Sequence, residues 1–217
     1  MKSVYFLHVN RTAGRFFHKY VFRHIVRWSK DENIKLIRPN ADPDDWTHWG
    51  WSSEIEDSSY IICLLRDPLE CLISYHVAFS NVKTKSDLIE RINSIENLQA
   101  RSFITWKENK VDPHSDINFD KDLILNRLKR VNLLIDSKDI NIKTIKSLRE
   151  KICLDLNINS LPFDDGIKDT DEFRTEGVKD IYNSLSKSDI NKIKKINYMD
   201  FELYEEAKKI FWTPILD

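Results

Sequence analysis

The sequence predicts an α/β fold, with a central, mostly parallel sheet of about four to five strands flanked by helices and a helical C-terminal third. Three observations lead there. Short apolar runs at 4–9, 34–37, 60–65 and 131–135 are separated by stretches of helical periodicity. Two of these runs end in a polar, arginine-bearing turn that opens the next helix. From residue 178 onward only helical recurrence remains. Strands that alternate with helices pair in parallel and are covered on both faces, and ligands of such sheets bind beyond the carboxyl ends of the strands.

The elements follow in order. VYFLHV at 4–9 reads as a buried strand, and 15–29 as a helix in which Phe17, Tyr20, Val21, Ile25, Val26 and Trp28 recur with helical periodicity. IKLI at 34–37 is a second strand. YIICLL at 60–65 is the clearest buried strand, and Pro68 after it suits the first turn of a helix that runs to about Phe79. Residues 84–106 read as one or two helices. VNLLI at 131–135 is the fourth strand, between helices at 120–130 and 139–156. Helices at 178–185 and 188–211 follow, the latter with a break near Asn197, and SKSD at 186–189 supplies N-cap residues. The polar stretches 107–122 and 164–177 read as loops.

At 217 residues the chain is one domain, 1–217, large enough for a sizeable core. Its 41% hydrophobic and 32% charged residues fit a soluble globular protein. A net charge of −1 leaves no overall attraction to nucleic acid or a membrane surface, so any cationic site is local. Cys63, Cys71 and Cys153 are odd in number and irregularly spaced, which reads as free thiols in a reducing compartment. No metal-ligand spacing, secretory leader or membrane-length apolar run is present, so the expected location is cytoplasmic.

The first chemistry-bearing motif is NRTAGR at 10–15, between the first strand and its helix. A helix N-terminus offers free backbone N–H groups and partial positive charge, and small residues in the turn let an anion approach. Arg11 and Arg15 add cations around Thr12, Ala13 and Gly14. An ordinary strand–helix turn with two surface arginines accounts for the same residues. The P-loop spacing GxxxxGK(S/T) is not met, since Arg15 and Phe16 follow Gly14. Residues 1–30 hold seven Lys or Arg and no acid, and Arg15, Lys19, Arg23 and Arg27 recur every four residues. Such a stripe needs anionic neighbours, from the fold or from a ligand.

The second motif is LRDP at 65–68, with Ser74 two helical turns beyond Arg66. A guanidinium and a hydroxyl so placed could share a phosphate; a local ion pair of Arg66 with Asp67 or Glu70 is the simpler alternative.

With these residues in view, the chain resembles the sulfotransferase superfamily that uses 3′-phosphoadenosine 5′-phosphosulfate (PAPS), most closely its carbohydrate or Golgi-type branch. His8-Val9-Asn10-Arg11-Thr12-Ala13-Gly14-Arg15-Phe16 stands where that family has H-(I/V)-P-K-T-G-G-T-S. Leu65-Arg66-Asp67-Pro68 with Ser74-Tyr75-His76 is similar to its LRDPxxRxxSxYxH signature. Asn97, Gln99 and Arg101 match N-x-Q-x-R, and Asn197, Asp200, Leu203, Tyr204 and Ala207 match N-x-x-D-x-x-L-Y-x-x-A. The resemblance implies a P-loop NTPase-like three-layer sandwich and PAPS as donor, with 3′,5′-adenosine diphosphate as product and no metal required. It further implies that Arg11, Thr12, Ala13, Gly14, Arg15 and Phe16 hold the 5′-phosphosulfate, and that Arg66 and Ser74 hold the 3′-phosphate. The family's turn lysine is Arg11 here, and its Thr-Ser pair is Arg15-Phe16, departures that bear on turnover more than on donor binding.

Sulfuryl transfer needs a cation at the leaving oxygen and a base for the acceptor hydroxyl. Arg11 is the expected cation. His48, in DDWTHWGWSS, is the expected base, with Asp44, Asp45 and Glu54 behind it; His8 and His76 read as structural. Trp46, Trp49 and Trp51 surround His48, and Trp46 and Trp49, with Gln99 and Arg101, are the expected substrate contacts on a carbohydrate or glycoconjugate acceptor. Two other readings remain open: a catalytically impaired nucleotide-binding protein, and a small-molecule kinase on a P-loop-like fold. The kinase would need a turn lysine followed by a magnesium-holding Ser or Thr, and that lysine–hydroxyl pair is not present here.

Overall fold

Alternation along each strand decides the architecture. In the computed structural model, which describes residues 2–13, 17, 20–21, 25, 34–37, 50–55, 57–104, 117–158 and 177–213, the strands are β1 (Lys2–Leu7), β2 (Ile34–Leu36), β3 (Tyr60–Leu65) and β4 (Leu133–Asp136). They form one parallel sheet in the order β2-β1-β3-β4, with Val4 opposite both Leu36 and Tyr60, and Ile62 opposite Leu133. The seven helices among the described residues are α1 (Pro68–Phe79), α2 (Lys85–Arg91), α3 (Lys121–Lys129), α4 (Ile142–Leu156), α5 (Val178–Ser184), α6 (Lys187–Ile196) and α7 (Tyr198–Ala207).

Successive strand residues point to opposite faces, and each face meets its own helices. Val4, Phe6, Ile62, Leu64, Leu133 and Ile135 pack on Ile145, Leu148 and Ile152 of α4 and on Phe17, Tyr20, Val21 and Ile25. Those last four have helical backbone and i, i+3, i+4, i+8 spacing. Tyr5, Leu7, Ile61, Cys63, Leu65 and Leu134 face the other way, onto Ile124 and Leu128 of α3 and Met199 and Leu203 of α7. The result is consistent with a three-layer sandwich. A third cluster joins α1, α2, α5 and α6 away from the sheet through Leu72, Ile73, Leu88, Ile181 and Ile193.

β3 and α1 have the expected bounds, and α3, α4 and α5 fall within the expected segments. The break near Asn197 is a real boundary between α6 and α7, and Ser186 caps α6 in a reciprocal capping box with Asp189. Residues 84–106 differ in kind. Only Lys85–Arg91 is α-helical; Ile92–Ser94 and Ala100–Phe103 are short 3-10 turns. Asn97 separates them at φ +51°, a left-handed backbone that asparagine tolerates better than most residues. All three cysteines are buried free thiols, and no described helix is long and apolar enough to cross a membrane.

The strand order reverses between β1 and β3, because β2 lies on the far side of β1 and the chain then returns to β3. In open parallel sheets the crevice beyond the carboxyl ends at such a switch point is where ligands sit. The turns that carry Arg11 and Arg66 both leave the sheet there.

Candidate functional site

The turn after β1 is built from its own backbone outward. Arg11 and Ala13 hold φ of +59° and +60°, left-handed conformations that cost a residue with a Cβ roughly 1–2 kcal/mol each. Thr12, fully buried between them, donates its hydroxyl to the Val9 carbonyl at 2.9 Å. The Phe17 amide donates to the Ala13 carbonyl at 3.1 Å, a helical-type i to i−4 bond. The Cys71 thiol, on α1, donates to the Asn10 carbonyl at 3.2 Å and ties the turn to that helix. Burial pushes this thiol well up, so it stays protonated. The Asn10 side-chain oxygen is buried with no hydrogen-bond partner among the described residues.

The turn after β3 is fixed at three points. Asp67 caps α1, accepting from the Leu69 amide at 3.0 Å and the Glu70 amide at 3.1 Å, and Pro68 opens the helix where no N–H is needed. Burial raises the Asp67 carboxyl, against the pull of those two N–H donors. The Arg66 guanidinium pairs with Glu70 at 3.1 Å and donates from Nη1 to the Arg11 carbonyl at 3.4 Å. Arg11 in turn donates from Nε to the Ser74 hydroxyl at 3.0 Å, with its guanidinium 5.8 Å from the Phe79 ring centre. The two arginine turns therefore meet along α1. Among the described residues, the guanidinium bonded to Ser74 is that of Arg11.

Behind Arg66 lies a buried polar cluster. Gln99, 1% exposed, accepts the Arg66 amide at Oε1 (2.9 Å) and donates from Nε2 to the Arg66 carbonyl (2.8 Å). Asp200 at the start of α7 accepts the Gln99 amide and, at 2.7 Å, the Ala100 amide. The Asn97 side chain accepts the Met199 and Asp200 amides, while the Asn97 amide donates to the Asn197 side chain at 2.8 Å. Arg101 donates to the Glu96 carbonyl at 2.7 Å and lies 5.4 Å from the Phe119 ring centre. Burial pushes Asp200 up to about 7, opposed by its N–H donors and the Arg101 charge.

Of the expected site residues, Arg11, Thr12, Ala13, Arg66 and Ser74 come together. Gln99 and Arg101 are buried beside them, with polar groups engaged by backbone carbonyls or amides. Gly14, Arg15, Phe16, Trp46, His48 and Trp49 lie outside the described residues, as do Asp44 and Asp45. Glu54 is exposed, in a turn that precedes β3. Trp51 is buried, its amide bonded to the Ser102 carbonyl at 2.8 Å and its ring flanked by Arg127 and Arg130. His8 stacks on Phe6, and His76 is fully buried, its Nδ1 3.3 Å from the Ser80 hydroxyl. Sequence reasoning found Asn97 and Asp200 only as motif letters and left their task unassigned. Their partners are backbone amides about a hundred residues away, which no local pattern marks.

Two guanidinium groups and the Ser74 hydroxyl beside a strained turn at a sheet switch point suit an oxyanion such as phosphate or sulfate. Arg66 shares its charge with Glu70, so the cluster offers an anion the Arg11 guanidinium and the part of Arg66 not turned to Glu70. Comparison of the chain with protein-family models, curated proteins and solved structures gives no match.

Proposed function

We propose that this chain is a sulfotransferase that moves a sulfuryl group from PAPS to a hydroxyl of a carbohydrate or glycoconjugate. The observation that carries the reading is the meeting of Arg11, Arg66 and Ser74 at the β1/β3 switch point, linked by the 3.0 Å Arg11–Ser74 and 3.4 Å Arg66–Arg11 bonds. When bound, PAPS would supply the activated sulfuryl group. Arg66 and Ser74 would hold the 3′-phosphate through charge-assisted hydrogen bonds. The residues Arg11 to Phe16 would hold the 5′ end, and Arg11 would supply the positive charge needed at the leaving oxygen. His48 removes the proton from the acceptor hydroxyl, and Trp46 and Trp49 hold the acceptor's sugar face.

A second reading, nucleotide binding without turnover, is favoured by one observation: the Arg11 guanidinium is engaged by Ser74, on the side assigned to the 3′-phosphate. Both readings share the donor site, so the first test is binding. Calorimetry without metal should show 3′,5′-adenosine diphosphate binding, about tenfold or more weaker in Arg66→Ala, the scale of a lost charged hydrogen bond. ATP should not compete. Absence of metal-free binding by wild type would sink the donor assignment, and donor hydrolysis or acceptor sulfation would then separate enzyme from binder.

A further inference from the structure

We infer that Gln99 is a positioning residue for the anion site, aiming Arg66 by clamping its backbone, and that Asp200 is the anchor that holds the clamp. The inference rests on the donor-site reading above.

Arg66 is the first residue beyond β3, where ladder pairing has ended: the last β3–β4 pair is Leu65 with Asp136. A backbone at that point needs partners for its N–H and C=O. Gln99 supplies both from one side chain, accepting at 2.9 Å and donating at 2.8 Å, as a neighbouring strand would. The amide is buried and both of its polar ends are engaged, so rotation about Arg66 is restricted at the residue whose guanidinium reaches Glu70 and the Arg11 carbonyl.

Gln99 is itself held. Its own amide and that of Ala100 donate to Asp200, and the left-handed Asn97 two residues earlier is pinned by reciprocal bonds with the α7 start and Asn197. A chain of hydrogen bonds thus runs from the start of α7 through one short segment to Arg66. Every link is a side chain bonded to backbone, an arrangement that transmits position but carries no charge to a ligand.

The test is a double-mutant cycle read by calorimetry, with 3′,5′-adenosine diphosphate and inorganic pyrophosphate as probes. Gln99→Leu removes both bonds, and Gln99→Glu keeps the acceptor while losing the donor. Gln99→Leu should weaken the probes by about 10–100-fold, the usual effect of removing a partner behind a bound ion's direct contacts, with Gln99→Glu between. Asp200→Asn should weaken them in the same direction. In an Arg66→Ala background, Gln99→Leu should change affinity by less than about twofold, because Gln99 acts through Arg66. Hydrogen exchange at the Arg66 amide should accelerate in Gln99→Leu while β1 and β3 keep their protection.

Equal losses in both backgrounds would overturn the inference, as would unchanged affinity in Gln99→Leu. Pyrophosphate binding without 3′,5′-adenosine diphosphate binding would remove the donor-site reading and leave the clamp to be judged by the pyrophosphate cycle. A wild-type chain that binds neither probe would overturn both. If Gln99→Leu does not fold, the same affinity cycle and the same Arg66 amide exchange measured on Gln99→Glu decide.

Discussion

Asp200 is 3% exposed and lies in the set of hydrogen bonds that positions Arg66. Its carboxyl is pushed up to about 7 by burial, while two backbone amides and the Arg101 charge oppose that rise. An unfolded aspartate ionises near 3.9. Between about pH 4 and 7 the folded chain therefore keeps a proton that the unfolded chain has lost. Stability from this group is fully present below about pH 4 and is lost as pH rises through about 7. Other groups titrate over the same range, so the informative quantity is the difference between wild type and Asp200→Asn in urea unfolding from pH 4.5 to 8. That difference should move against wild type as pH rises. A flat difference would mean that the carboxyl does not titrate there. Arg101 is the charge facing Asp200 from the 3-10 turn, and Cys71 faces it from α1 as a protonated thiol.

Elements were legible where local chemistry specifies them. YIICLL is continuously apolar and is β3; Asp67-Pro68 marks a helix start, and α1 begins there. The same logic gives a test. Asp67→Ala removes an acceptor from two amides and should cost about 1 kcal/mol, whereas Asp67→Asn, which keeps an oxygen there, should cost a few tenths. Equal losses in a denaturant titration would show that Asp67 stabilises α1 by its charge alone. The segment 84–106 reads as one or two helices, yet only its first turns are α-helical. Its remainder follows long-range bonds: Asn97 to Asn197 and Asp200, Gln99 to Arg66 and Asp200. Those partners stand 33 or about 100 residues away, and no local period encodes them. Candidate site residues were legible for the same reason in reverse. Arg11 and Arg66 each follow a strand, and Ser74 lies two turns into the helix after Arg66, so sequence order alone brings all three to one sheet edge. That Arg11 takes the Ser74 bond depends on how two turns pack, which only the folded chain shows.

At the scale of the molecule, the sheet leaves β4 at one end of its order, and an uncovered edge strand invites pairing with another chain. The chain returns after α7 to cover it. The Trp212 amide donates to the Leu134 carbonyl of β4 at 2.8 Å. Trp212 packs against the face occupied by α4, and Phe211, the residue before it, packs against the opposite face beside Tyr204. Adjacent side chains on opposite faces are what a strand lying along the β4 edge would show. The Tyr204 hydroxyl adds a 2.6 Å bond to Asp136, at the carboxyl end of β4, so α7 and the segment after it secure the same strand. Both sides of the sandwich therefore depend on the last described residues. Trp212→Ala should cost about 1–3 kcal/mol, below the 3–5 typical of fully buried tryptophan because this ring is half-buried. Deleting residues 210–217 should cost more, and should raise the concentration dependence of aggregation as the β4 edge is uncovered. Chemical denaturation gives the first quantity and light scattering across a concentration series the second. Unchanged stability in the deletion would mean that β4 is held by β3, α3 and α4 alone, and that the return of the chain is incidental to the fold.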